Sequence, residues 1–145
     1  MHKFALAFLM LALAACGGSS EPKAPTAHTI TGTFTLLGQN EDSVSSDYVE
    51  GEFISVDGGC AGTGRYDDIE AGLQVTVSNE TGTVIGTGAL GQGTEVDAGC
   101  EFPFTVGNVP VAKFYKVEVG RRGTVNYSYA DMEAASWKAE LSLGD

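Results

Sequence analysis

Basic residues are scarce: 8 Lys and Arg stand against 19 Asp and Glu in 145 residues, a formal charge of −11. That shortage excludes a nucleic-acid partner, because displacing counterions from phosphates needs concentrated Lys and Arg. Histidine is scarcer still, with only His2 and His28. The three cysteines form no CxxC pair, so the zinc patterns built on paired Cys and His are missing. No apolar run reaches the ~20 residues of a membrane-spanning helix; the one that begins at Phe4 is too short.

That short run is instead an address label. His2 and Lys3 supply a basic start, Phe4 to Leu13 an apolar stretch, and residues 1–15 together read as a signal peptide. Its end, Leu13-Ala14-Ala15-Cys16, resembles the lipobox of bacterial lipoproteins. The resemblance implies that Cys16 becomes the mature N-terminus and carries a diacylglycerol on its sulfur. Each buried methylene contributes about 0.8 kcal/mol, so two or more acyl chains make a lasting tether. The alternative is an ordinary secretory signal cut elsewhere, with Cys16 incidental.

Residues 16–27 continue as GGSSEPKAPTA after Cys16, a Gly, Ser and Pro composition that reads as a flexible stalk. Residues 28–145 are then the folded domain. Cutting the signal removes Lys3 and no acid, leaving 7 basic and 19 acidic residues and a charge of −12. Such a chain does not adhere electrostatically to anionic lipid, so the covalent lipid is the expected membrane contact. The expected location is the extracytoplasmic face of the cell membrane, or the outer membrane in a two-membrane host, because Gly17 after Cys16 does not look like an inner-membrane retention signal.

With Cys16 assigned to lipid, Cys60 and Cys100 remain, both in the exported part and both beside glycines. A disulfide between them is the expected pairing. Closing a loop of about 40 residues would stabilise the fold by roughly 4 kcal/mol in the chain-entropy view. The alternative, a reactive thiol or metal site, finds few partners in a chain whose only later histidine is His28.

From His28 onward the apolar residues recur every second position, the period of strands. Strands are expected over Ile30 to Leu36, Phe53 to Val56, Leu73 to Ser78, Thr83 to Leu90, Phe102 to Val106, Phe114 to Val119, Thr124 to Tyr127 and Trp137 to Leu143. Asn79-Glu80-Thr81-Gly82 supplies turn chemistry for a hairpin. The stretch Gly38 to Glu52 is polar, and Cys60 is expected in a glycine-laden loop that runs to Asp68. Only Tyr129 to Ala135 reads as helix, with Ser128 and Asp131 at capping-box spacing. This pattern implies an all-β fold, a small antiparallel β-sandwich of immunoglobulin-like or transthyretin-like kind with one short helix near the C-terminus.

Several of these segments, in order, resemble a group of uncharacterised actinobacterial exported proteins and lipoproteins. They are Thr31-Gly32-Thr33-Phe34-Thr35-Leu36, Cys60 with Gly64-Arg65-Tyr66-Asp67-Asp68-Ile69, Gln74-Val75-Thr76-Val77, Cys100 to Val106, Val109-Pro110, Phe114 to Val119, Arg122-Gly123 and Trp137 to Gly144. The likeness covers most of residues 29–144. It implies a secreted domain with paired cysteines, and it brings no activity or ligand with it.

Candidate chemistry is sparse. Gly86-Thr87-Gly88-Ala89-Leu90-Gly91 matches GxGxxG, but Gln92-Gly93-Thr94 follows and will not open the helix that a dinucleotide site needs. A Ser-His-Asp triad would have to use His28, at the end of the stalk with nothing to orient it. The strongest polar cluster is Tyr66, Asp67, Asp68 and Glu70 beside Arg65, whose carboxylates offer oxygen ligands to Ca²⁺ but lack the spacing of an EF-hand loop. The plainer reading has Asp67 or Asp68 accepting N–H bonds within the turn while Tyr66 packs on an edge. Arg121 and Arg122 in a glycine-flanked turn are a second candidate, for an anionic partner. Tyr127, Tyr129 and Trp137 are a third, as an aromatic shelf for a sugar or as core.

The function expected is that of a monomeric, non-catalytic surface binding module for an envelope glycan, peptide or ion. A structural accessory of the envelope without a small ligand is the alternative, and a hydrolase acting on envelope glycans, using two of the many carboxylates, is a distant one.

Overall fold

A computed structural model describes residues 26–43 and 52–144. The expected signal peptide, the expected lipidation site Cys16, the expected stalk up to Pro25 and residues 44–51 of the polar stretch lie outside the described residues. Among the described residues there are ten strands: β1 (Ala27–Leu37), β2 (Phe53–Val56), β3 (Gly59–Gly62), β4 (Gln74–Ser78), β5 (Val84–Leu90), β6 (Thr94–Val96), β7 (Gly99–Pro110), β8 (Phe114–Val119), β9 (Thr124–Ser128) and β10 (Lys138–Leu143). One α-helix, α1 (Tyr129–Ala134), precedes β10. The all-β class with a single short helix is therefore what the alternation implies.

Eight strands form one sheet in the order β10-β1-β7-β5-β4-β8-β9, with β6 added on β7. The sheet curls until its two outer strands face each other: the Tyr127 hydroxyl on β9 donates to the Glu140 carbonyl on β10 at 3.0 Å. The facing layers expected of a sandwich are thus two walls of one nearly closed sheet. β2 and β3 make a separate two-stranded hairpin. All neighbours in the main sheet are antiparallel except β1 and β10, which run parallel from Thr31↔Lys138 to Leu36↔Leu143. This departs from an all-antiparallel arrangement, and it follows from α1 carrying the chain back between β9 and β10.

One core fills the curl. Ile30, Phe34, Leu36, Val75, Val77, Phe102, Phe104, Val106, Tyr115, Val117 and Val119 are all buried on the inner faces of their strands. Polar residues alternate with them outward, as at Thr33, Thr35, Thr105 and Glu118. Where β5 lies against its neighbour β7, side chains must vanish. A Cβ added to Gly86 would sit 2.8 Å from Val106 Cγ1, and one on Gly88 would strike the Thr105 carbonyl. The first two glycines of the GxGxxG match are therefore packing residues in β5, and no helix follows the third.

β1 begins one residue earlier than the domain boundary expected at His28, because Ala27 pairs with Pro110. Cys60, expected in a loop, lies in β3 and pairs with Ser55 of β2. The short strands β3 and β6 hold too few residues for a two-residue period to show, and their glycines and turns hide them.

Register fixes two poles. Ala27↔Pro110, Ser78↔Val84, Ser78↔Lys116 and Phe114↔Ser128 lie at one end, where the chain enters the sheet; α1 and the turn Asn79–Gly82 are also there. The opposite pole holds Leu37↔Gly99, the β8–β9 turn, β6 and the disulfide region.

α1 is locally specified at both ends. The Ser128 hydroxyl accepts the Asp131 N–H at 3.1 Å and the Asp131 carboxylate accepts the Ser128 N–H at 3.0 Å, the reciprocal capping box. At its end, the Trp137 N–H donates to the Met132 carbonyl at 2.7 Å and the Ser136 N–H to the Glu133 carbonyl at 3.0 Å. That is a Schellman arrangement with Ser136, at φ 54°, where glycine is usual.

Candidate functional site

The far pole gathers the charged residues singled out in the sequence. Gly64–Tyr66 forms a 3-10 turn, which Tyr66 N–H closes on the Thr63 carbonyl at 2.9 Å. A second turn follows at once, with the Ile69 N–H on the Tyr66 carbonyl at 2.9 Å. Ile69 is fully buried and pins the loop to the core, which leaves Asp67, Asp68 and Glu70 exposed around it. The β8–β9 turn supplies the other half: Gly120 at φ 56° and Gly123 at φ 94° allow the tight reversal that carries Arg122 toward the loop.

Arg122 joins the two loops. Its Nε donates to Asp68 Oδ2 at 3.2 Å, its Nη2 pairs with Asp68 Oδ1, and the same Nη2 donates to the Arg65 carbonyl at 2.7 Å. This forked contact between guanidinium and carboxylate is geometrically specific as well as favourable. Hydrogen bonding from Arg122 holds the Asp68 carboxyl below its ordinary range, and the same bond raises the Arg122 guanidinium. Both Arg122 and Arg65 also lie over the Tyr66 ring, at 5.4 and 5.3 Å from its centroid, within cation–π range. A groove of about 160 Å³ opens beside Arg122 along the seam between β9 and β10, lined also by Phe34, Thr124, Leu141 and Ser142.

Tyr66, Asp68 and Arg122 are thus brought together, with Arg65 as a fourth member. Asp67, Glu70 and Arg121 stay exposed at the rim and do not enter the contact. The plainer reading of the loop, an aspartate satisfied by its own turn, is corrected: Asp68 is held chiefly by Arg122, 54 residues away. That pairing takes up one of the three carboxylates, Asp67, Asp68 and Glu70, on which the Ca²⁺ reading rested. Among the described residues no three His, Cys, Asp or Glu side chains converge as a metal site.

Cys60 and Cys100 form a disulfide with their Cα atoms 6.0 Å apart, joining β3 to the start of β7. Gly93 makes room for it, since a Cβ there would stand 2.8 Å from Cys100 Sγ. The bridge holds the β2–β3 hairpin, and the loop that follows it, against the main sheet.

The aromatic residues are packing groups. Trp137 is stacked on the His28 ring at 3.4 Å and 9°, and Tyr115 and Tyr129 meet it edge-on, each at 5.5 Å. A ring so covered offers no free face to a sugar. Tyr127 is engaged with Glu140 across the seam. His28 is correspondingly not a loose residue at the end of a stalk: β1 and Trp137 fix it, and its Nε2 is buried without a hydrogen-bond partner. Among the described residues no hydroxyl or carboxylate hydrogen-bonds that Nε2 as a triad would require. Alternation alone gave no sign of this stack, because the partners are 109 residues apart.

Comparison with known proteins finds no matching family model, curated relative or solved structure.

Proposed function

We propose that this protein is an extracytoplasmic lipoprotein, anchored through acyl chains on Cys16, whose domain is a non-catalytic binding module presenting its far pole to a partner in the cell envelope. The observation that carries this reading is the placement of arginine. The chain has three, Arg65, Arg121 and Arg122, and all sit on the two loops that meet at that pole. In an otherwise acidic chain, such a gathering offers a local landing point for an anionic group, with a groove beside it. Arg122 is committed to Asp68 and orders the loops; Arg65 and Arg121 are the exposed cations left to meet a partner.

The anchor and the binding role are tested separately. Mass spectrometry of the mature protein from its host is expected to find an acylated N-terminal Cys16, and an unmodified Cys16 inside a longer chain would overturn the anchor. For the binding role, the full chain and its R65A/R121A form are crosslinked in cells and recovered through a C-terminal tag. Envelope material enriched with the natural chain and reduced at least fivefold with the variant supports the reading. Equal recovery, or none from either, favours a structural accessory without a ligand.

A further inference from the structure

The geometry points to the opposite pole, where the chain enters the sheet, as a membrane-docking surface that rests on the bilayer holding the Cys16 acyl chains. This inference builds on the anchor reading above and adds an orientation to it.

Three kinds of observation coincide at this pole. The first is exposed apolar surface. Val84, Val111 and Phe114 are 56, 50 and 49 % exposed, and they make up three of the five large hydrophobic residues exposed among the described residues. Register places all three at the entry pole: Phe114 opens β8, Val111 lies in the loop before it, and Val84 opens β5. The segment is held out by the fold, with the Ala112 N–H donating to the Tyr115 hydroxyl at 3.0 Å and the Lys113 N–H to Glu80 Oε2 at 3.3 Å.

The second is charge. The lysines of the described residues, Lys113, Lys116 and Lys138, all lie toward this pole, at or near the starts of β8 and β10. Acids collect at the far one: Asp67, Asp68, Glu70, Glu95, Asp97 and Glu101. The entry pole has its own acids, Glu80, Asp131 and Glu133. The first two are taken up locally, Glu80 by the Lys113 N–H and Asp131 by the Ser128 cap. At the entry pole three lysines balance the three acids, whereas at the far pole the six acids outnumber Arg65, Arg121 and Arg122, so an anionic headgroup layer opposes the entry pole less. The net charge of the whole chain conceals this polarity.

The third is reach. The chain enters at Thr26, whose carbonyl accepts the Val111 N–H at 3.4 Å, so the tether emerges beside the apolar residues themselves. Ten residues separate Cys16 from Ala27, and ten residues span at most about 35 Å. A surface held that close to lipid meets it at high effective concentration, so a patch too weak to bind alone is enough.

With Cys60 and Cys100 bonded to each other, Cys16 is the one remaining cysteine, and in a chain that begins there and is made without lipidation the tether can be supplied chemically. The chain from Cys16 is coupled to maleimide-headgroup lipid in vesicles containing phosphatidylglycerol and lipids with brominated acyl chains. Tryptophan is introduced by F114W at the entry pole and, separately, by E70W at the far pole, and the native Trp137 signal is subtracted. Docking predicts at least twofold quenching of the emission added by F114W and none of that added by E70W. Absence of quenching in F114W while the protein co-floats with the vesicles overturns the proposal, and so does equal quenching of both. Because the lipid is attached in the tube, a protein that carries no lipid in its host fails the mass-spectrometric test without changing this outcome.

Discussion

Removing the Cys60–Cys100 bridge is the perturbation whose cost follows most directly from the structure. The two cysteines are 40 residues apart in sequence, and in the chain-entropy treatment a loop of that size contributes about 4 kcal/mol by restricting the unfolded chain. Both residues are essentially fully buried, so C60A/C100A also loses packing around two sulfurs. Reduction without substitution leaves those atoms in place and isolates the crosslink. Guanidinium unfolding followed by Trp137 fluorescence reads the whole domain, since Trp137 lies at the pole opposite the bridge and packs on β1, β8 and α1. With a slope of about 4 kcal/mol per molar, the reduced protein is expected to unfold about 1 M earlier than the oxidised one. The double alanine variant should fall further, by the packing loss alone. A reduced protein whose midpoint moves by less than about 0.2 M would refute the chain-entropy reasoning, and would mean that the hairpin and sheet hold together equally well in both states.

Two further outcomes are expected. Asp68 has its carboxyl lowered by Arg122, so its contribution is present above the ordinary carboxylate value of about 3.9 and is lost as pH falls through the lower folded value. The pair is partly exposed, which limits it to about 0.2–1 kcal/mol; natural protein and D68N should differ by that much at pH 7 and converge near pH 2, and a gap independent of pH would contradict the assignment. S136G should stabilise the domain by about 0.5–1 kcal/mol, because Ser136 occupies the left-handed position that closes α1. A calorimetric melting temperature that falls in S136G would show that the serine is held there by something other than the helix end.

Much of the fold is legible in the sequence because its causes are local. The alternation of Val75 and Val77, of Tyr115, Val117 and Val119, and of Ala139 and Leu141 reports strands buried on one face, and Ser128 with Asp131 three residues on marks the start of α1. The hidden strands β3 and β6 show the limit, since three or four residues beside glycines carry no readable period. The candidate site was legible only in pieces. Tyr66 and Asp68 stand out as a polar cluster and Arg122 as a turn cation, but their union spans 54 residues and depends on strand register.

The sequence by itself determined the class of fold, the N-terminal cap of α1 and, once Cys16 is set aside for lipid, the pairing of Cys60 with Cys100. These follow from spacing, from side-chain chemistry and from counting. Only the tertiary structure decided that the sheet nearly closes, that β1 and β10 run parallel, and that arginines and acids gather at one pole while lysines and exposed apolar residues gather at the other. Those features depend on which strands become neighbours and in what register, and that choice is made by the core as a whole rather than by any one stretch of chain.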